Sequence, residues 1–263
     1  MRQDVTFPSA GLNCAGWLYL PDSLEDGEKR PAIIMAHGFS AVKENYLANF
    51  AEKFEGAGFV ALVFDYRFFG DSEGEPRGHL IPAEQHKDYR DAITWISQRP
   101  EVEPERIGIW GSSYSGGHVL YLASFDKRIK AAVSQAPLVN GWQKAQRLMR
   151  PNVFEGFLWA LAQDRAQRYT GGESAKIPVV APGGEPSALP TPESHEWFTH
   201  AGNTVAPNWR NELSLESMEA FLEYDPAGNI HLVSPPAPDN RCREGHPDAD
   251  GHGDRGPRAG FVA

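Results

Sequence analysis

The sequence predicts an α/β fold built on a mostly parallel sheet with helices on both faces. Three observations carry that expectation. Apolar runs at residues 31–36, 59–64 and 107–110 lack the alternation of half-exposed strands, so they suit strands buried on both faces of a parallel sheet. Segments with apolar residues at helical spacing lie between them. Glycine-rich turns then separate strand from helix.

Taken in order, residues 5–7 and 12–20 read as a leading antiparallel pair at the sheet edge. Pro31-Ala32-Ile33-Ile34-Met35-Ala36 forms the first buried strand and runs into His37-Gly38-Phe39. Leu47, Phe50, Ala51 and Phe54 fall at i, i+3, i+4 and i+7 on one helical face, which Gly56-Ala57-Gly58 closes. A strand at 59–64 ends at Asp65 and is followed by the loop Gly70-Asp71-Ser72-Glu73-Gly74. Tyr89, Ala92, Ile93 and Ile96 mark a second amphipathic helix, and residues 116–125 and 129–134 read as a third helix and a further strand.

Between those last elements, Ile107-Gly108-Ile109-Trp110-Gly111-Ser112-Ser113-Tyr114-Ser115-Gly116-Gly117 reads as a strand entering a glycine-flanked serine turn. Such a turn lifts a nucleophilic hydroxyl onto a sharp strand-to-helix corner and needs small residues two positions to either side. Gly111 and Ser115 meet that need around Ser113, with Gly116 and Gly117 completing the corner. A second register would centre on Ser115, but the apolar strand stops at Trp110, which favours Ser113. The loop after His37-Gly38 can aim the Phe39 N–H at the point reached by the Tyr114 N–H, giving two donors for a tetrahedral oxyanion. His37 reads as a loop-packing residue rather than the base.

These residues resemble those of the α/β-hydrolases of the Xaa-Pro-peptidase-like and dienelactone-hydrolase-like group, in particular the fungal polyketide-transferase family and its bacterial hydrolase relatives. The resemblance rests on His37-Gly38-Phe39-Ser40-Ala41-Val42-Lys43-Glu44, on residues 64–74 (Phe-Asp-Tyr-Arg-Phe-Phe-Gly-Asp-Ser-Glu-Gly) and on residues 106–118. It implies an α/β-hydrolase fold, a nucleophile at Ser113 and oxyanion donors at Phe39 and Tyr114. It further implies acyl transfer from a small-molecule substrate.

Residues 1–137 are then the hydrolase core and 138–226 a helical cap insertion. In the cap, Phe154, Phe157, Leu158 and Leu161 share one helical face and Leu213, Leu215, Met218, Phe221 and Leu222 another, with a Pro/Gly-rich linker at 177–192. Such a cap would shape an apolar acyl pocket over the serine. Trp142, Trp159, Trp197 and Trp209 either line that pocket or pack the cap core, the second being the ordinary fate of large aromatics.

Residues 227–263 depart from the family pattern. Residues 230–235 look like the approach to another core strand, yet the 30 residues from 234 to 263 contain no Leu, Ile, Met, Trp or Tyr, and ten are Gly or Pro. Such a segment buries too little apolar surface to offset its chain entropy, so it is expected to be a disordered tail on a sheet whose C-terminal strands are truncated. The family's acid and histidine belong in this stretch. His246 and His252 are the candidates for the base, and Asp65, Arg67 and Asp71 read as a structural ion-pair network. His118, five residues past Ser113, reads as a helix contact.

Composition sets the outer bounds. With 263 residues and 41% hydrophobic content, one sizeable core can form. A net charge of -10 argues against nucleic acid and anionic membranes as partners. Cys14 and Cys242 are too few for a disulfide framework, and no run reaches transmembrane length. The start Met1-Arg2-Gln3-Asp4 lacks an apolar signal region, so a cytoplasmic setting is the expectation. No cofactor is expected and no metal either, since a ligand loop counted from Asp248 reaches Ala259 where glutamate belongs. The expected function is serine hydrolysis or acyl transfer on an ester, thioester or amide. The alternative is a catalytically impaired remnant or a non-catalytic ligand-binding protein.

Overall fold

The computed structural model describes residues 1–183 and 185–233. Its main sheet has six strands: β1 (Arg2–Ser9), β2 (Leu12–Tyr19), β3 (Arg30–Ala36), β4 (Val60–Phe64), β5 (Val102–Ser112) and β6 (Ile129–Gln135). They lie side by side in the order β1-β2-β4-β3-β5-β6. The first pair is antiparallel and β2 meets β4 antiparallel, whereas β4, β3, β5 and β6 run parallel. The outer edge of β6 carries no partner strand among the described residues.

The parallel strands lack alternation because both faces are covered. On one face α2 (Pro82–Ser97) and α3 (Tyr114–Phe125) pack Tyr89, Ala92, Ile93, Ile96, Val119 and Leu122 against Ile34, Leu62, Phe64, Ile107 and Ile109. On the other, α1 (Leu47–Gly56) sets Leu47, Ala51 and Phe54 over Met35, Ala61, Val63 and Trp110. Phe50, expected in that helix's buried face, instead lies at the rim, with its ring 4.4 Å from that of Trp110. Val133 on β6 is 39% exposed, so apolar cover thins toward that edge.

After β6 the chain leaves the sheet and builds a cap from α4 (Gly141–Leu148), α5 (Pro151–Tyr169), α6 (Pro192–Thr204) and α7 (Leu215–Glu223), with a small pair β7 (Lys176–Ile177) and β8 (Leu213–Ser214). Arg168 on α5 bridges Asp164 on its own helix with Glu216 and Glu219 on α7, holding the two helices together. Trp209 packs on Phe198 and donates its indole N–H to the Ser40 carbonyl at 2.8 Å, fixing the cap to the loop after β3. The other cap tryptophans neither fill the cap core nor line the serine cleft: Trp142, Trp159 and Trp197 are exposed, Trp159 by 67%. No described helix is long and apolar enough to cross a membrane.

Residues 226–232 correct the strand reading and bring part of the expected tail back into the fold. They form a 3-10 helix packed on α3, because Pro226 and Gly228 suit a tight turn and Asp225 Oδ1 accepts the Gly228 N–H at 3.1 Å. Ser124 Oγ then donates to the Asn229 carbonyl at 2.9 Å. The expectation of a disordered segment at 234–263 lies outside the described residues.

One buried ion pair ties three elements together. Asp88 on α2 accepts from Arg67 Nε at 2.8 Å and Nη2 at 2.6 Å, from the Arg67 backbone N–H at 3.1 Å, and from Ser9 Oγ at the end of β1 at 2.6 Å. Removing the carboxylate leaves the buried Arg67 guanidinium without its ion-pair partner, with only the Ser9 hydroxyl still accepting from it at 3.0 Å. Asp88→Ala is therefore expected to cost about 3–5 kcal/mol in urea unfolding, and a loss under about 1 kcal/mol would mean that water reaches Arg67.

Candidate active site

β5 ends at Ser112, and the next residue is the corner. Ser113 has φ 57° and ψ -118°, a conformation that a residue with a Cβ adopts only when its surroundings impose it. Its N–H donates to the Gln135 carbonyl at 3.0 Å, and its carbonyl accepts from Leu138 N at 2.9 Å and Gly117 N at 3.2 Å. A Cβ at Gly111 would sit 2.5 Å from the Ser115 carbonyl oxygen, so the corner closes only over glycine there. Gly116 and Gly117 likewise let α3 approach the chain at 135–138. Ser113 is exposed while Ser115 is fully buried, its Oγ 3.5 Å from Tyr66 Oη, which selects the Ser113 register.

The loop after β3 meets this corner. A Cβ at Gly38 would contact the Ser112 carbonyl at 3.4 Å and Ser113 Cβ at 3.7 Å. His37 is buried, its Nδ1 3.0 Å from the Gly38 carbonyl and its Nε2 accepting the Tyr66 N–H at 3.4 Å. With both ring nitrogens engaged and burial pushing its pKa down to about 4, His37 is a neutral packing residue. Among the described residues, neither the Phe39 nor the Tyr114 N–H is taken up by a protein acceptor. For Tyr114 this follows from its place in the first turn of α3, where helix N–H groups have no internal partner.

The cap supplies the walls. Phe39 lies edge-on to Tyr114 at 5.4 Å and to Phe221 at 5.5 Å, while Tyr114 and Phe221 stack at 6.0 Å. A cleft opens from Ser113 between this cluster and Leu138, Ala145, Met149 and Met218. Leu148, Met149, Ala188 and Met218 also line a longer apolar groove of about 790 Å³ that continues past Phe157 and Ile177 between α4, α5 and α7. Met218 and Phe221 were legible as an apolar helix face. Ala145 and Met149 were not, although Asn140, whose Oδ1 accepts the Gln143 N–H at 2.8 Å, is the N-cap signal that starts α4.

No histidine or carboxylate among the described residues hydrogen-bonds to the Ser113 hydroxyl. His246 and His252 lie outside the described residues. The charged residues near the ends of the strands have structural partners: Lys43 is buried between Asp65 (2.8 Å), Asp71 (2.5 Å) and Glu44 (2.7 Å), and Asp65 also accepts the Lys43 backbone N–H at 2.6 Å. The three carboxylates are close enough to invite a metal, but the Lys43 ammonium already occupies their centre. Arg67, expected in this network, pairs instead with Asp88.

The strand order, with a serine on a left-handed corner between a parallel strand and its helix, defines an α/β hydrolase. The structure of one such hydrolase, GrgF from Penicillium sp. sh18, superposes with a TM-score of 0.74 at 29% identity, covering 90% of this chain and 78% of that one. The profile of the family described as X-Pro dipeptidyl-peptidase (S15 family) matches residues 14–205, and the chain belongs to that family. It is 35% identical over 236 residues to the thiohydrolase aneE of Aspergillus aculeatus, covering 86% of this chain and 70% of the relative. It is 34% identical over 195 residues to the quorum-quenching protein AidA of Acinetobacter baumannii, covering 74% of this chain and 63% of the relative's length.

A buried imidazole relay fastens this site to the cap. His118 Nε2 donates to Gln85 Oε1 at 2.8 Å, Tyr224 Oη donates to His118 Nδ1 at 2.7 Å, and His86 Nε2 donates to Tyr224 Oη at 3.0 Å, with His86 Nε2 also 3.0 Å from His118 Nδ1. Burial holds both imidazoles neutral, pushing His86 down to about 3 and His118 well below its usual value, with Arg90 adding to the effect at His86 and His86 and His37 at His118. Because folded pKa values lie below the unfolded value of about 6.5, the stabilisation is complete above that pH and is lost as pH falls toward the folded values. Each such histidine contributes a slope of roughly 1.4 kcal/mol per pH unit in that window. Urea unfolding between pH 7 and 5 should therefore show a shallower pH dependence in His118→Gln than in the parent protein. Equal slopes would place His118 in contact with solvent.

Proposed function

We propose that the protein is a serine hydrolase or acyltransferase that acts on an ester, thioester or amide through an acyl-enzyme on Ser113. The observation that carries this reading is the exposed Ser113 hydroxyl on a left-handed corner, with two unpaired backbone N–H groups beside it and an apolar groove leading away. In this reading, Ser113 Oγ bonds to the acyl carbon as its proton passes to a base. The Phe39 and Tyr114 N–H groups hold the oxyanion. The bond to the leaving group then breaks, and the leaving group takes the proton. Water or an alcohol next attacks the acyl carbon, giving its proton to the base, and the Ser113 oxygen leaves with that proton. The base is a histidine outside the described residues, His246 and His252 being the candidates this sequence offers.

The groove supports an apolar acyl portion: its volume falls in the range of small-molecule pockets of about 300–1,000 Å³, and its lining is mostly apolar, including Leu148, Met149, Phe157, Ile177 and Met218, with Arg150 and Glu185 as its charged members. The names thiohydrolase and polyketide transferase among the relatives support a thioester donor. The second reading, a ligand-binding protein without turnover, is favoured by the lack of any imidazole at Ser113 among the described residues.

Intact-mass measurement of the protein mixed with a medium-chain acyl thioester separates the two. The expected outcome is one acyl adduct on Ser113, absent in Ser113→Ala. Turnover should fall about 10²–10⁴-fold when the histidine acting as base is replaced. Saturable binding with neither adduct nor turnover would overturn the catalytic reading in favour of the binding one.

A further inference from the structure

The charge around Ser113 runs against that of the protein as a whole. A second cleft, of about 260 Å³, opens from Ser113 on the side away from the apolar groove, along residues 136–140 and the α4 residues Gln143, Lys144 and Arg147. Lys144 lines both clefts. Lys144 and Arg147 are three residues apart on α4, so their side chains lie on neighbouring positions of one helix face. In a chain of net charge -10, no Asp or Glu among the described residues lines either cleft that reaches Ser113, and Glu185 lies only on the longer groove beyond. The contrast with other cations near the strand ends and in the cap is direct: Lys43, Arg67 and Arg168 are each tied to carboxylates, whereas Lys144 and Arg147 make no ion pair among the described residues.

The two clefts meet at the serine with opposite character. One is apolar and leads under the cap. The other carries two cations with no carboxylate partner among the described residues and the amides of Asn140 and Gln143. A substrate attacked at Ser113 straddles this junction, its acyl chain in the groove and its leaving group against α4. Resting on the acyl-enzyme reading for the position of the scissile bond, we infer that Lys144 and Arg147 form a leaving-group subsite for an acyl donor carrying a phosphate or carboxylate. Arg147 offers paired donors to such a group, and Lys144, which lines both clefts, acts as a point charge. A net negative protein otherwise repels such donors, so the local positive field also decides which ones reach the serine.

The test uses the 263-residue chain with Ser113→Ala, so binding is read whether or not Ser113 can be acylated. Three decanoyl thioesters share the acyl chain and differ in the thiol: N-acetylcysteamine is neutral, 3-mercaptopropionate carries a carboxylate, and 4′-phosphopantetheine carries a phosphate. Calorimetric titration is expected to show at least one anionic donor binding roughly tenfold or more tighter than the neutral one, a preference that shrinks as salt rises from 50 to 500 mM. Which anion gains more identifies whether phosphate or carboxylate is the natural group. In a background of Lys144→Gln with Arg147→Gln, shown by its unfolding transition to be folded, the preference should collapse toward one. Equal affinity for all three donors, or a preference that survives in the double variant, overturns the subsite. Absence of an acyl adduct in the protein that keeps Ser113, with the anion preference of the Ser113→Ala variant intact, would instead count against Ser113 as nucleophile while leaving the subsite standing.

Discussion

The strained backbone of Ser113 is the constraint on which the site depends. A serine at φ 57° and ψ -118° costs about 1–3 kcal/mol relative to a relaxed conformer. That cost is met by the three hydrogen bonds that pin the residue to Gln135, Leu138 and Gly117, and by the missing side chain at Gly111. The same geometry turns the hydroxyl out of the sheet and starts α3 at once, leaving the Tyr114 N–H unpaired at the corner. With the chain at Gly38 packed against the same corner, the Phe39 N–H comes alongside. The exposed Ser113 hydroxyl and the unpaired Tyr114 N–H are thus consequences of one turn, and relaxing Ser113 would displace both.

Burial decides what the nearby titratable groups can do. Lys43 and Asp65 are consumed in a network that closes the loops after β3 and β4, and Arg67 with Asp88 joins β1 to α2. His37 and His118 sit within a few residues of the serine in sequence or space, yet both keep neutral rings whose nitrogens are already engaged. These groups hold the corner and the cap in place.

What the sequence disclosed follows from where the information lies. The buried strands were legible because two-sided burial demands unbroken apolar runs, and the serine corner because it demands small residues at fixed offsets. β5 starts at Val102, well before the apolar run at 107, because Glu103, Glu105 and Arg106 occupy its exposed entrance. The cap was legible as helical but not in detail. Its α4 has exposed Trp142 and small Ala145 where a strong apolar stripe would have announced it, and α6 left no pattern that separated it from the linker. The cleft walls combine residues from α4, α7 and the loop after β3, whose meeting is a tertiary fact with no local signature.

The most direct measurement is a crystal structure of the protein treated with a long-chain alkylphosphonate, whose phosphorus mimics the tetrahedral acyl carbon. The account predicts a covalent bond to Ser113 Oγ, with the phosphoryl oxygen within about 2.7–3.1 Å of both the Phe39 and Tyr114 nitrogens. The alkyl chain should lie along Met149, Met218 and Phe157. A phosphonate attached elsewhere, or bound to Ser113 with its oxygen turned to solvent, would contradict the claim that this corner is an acyl-transfer site.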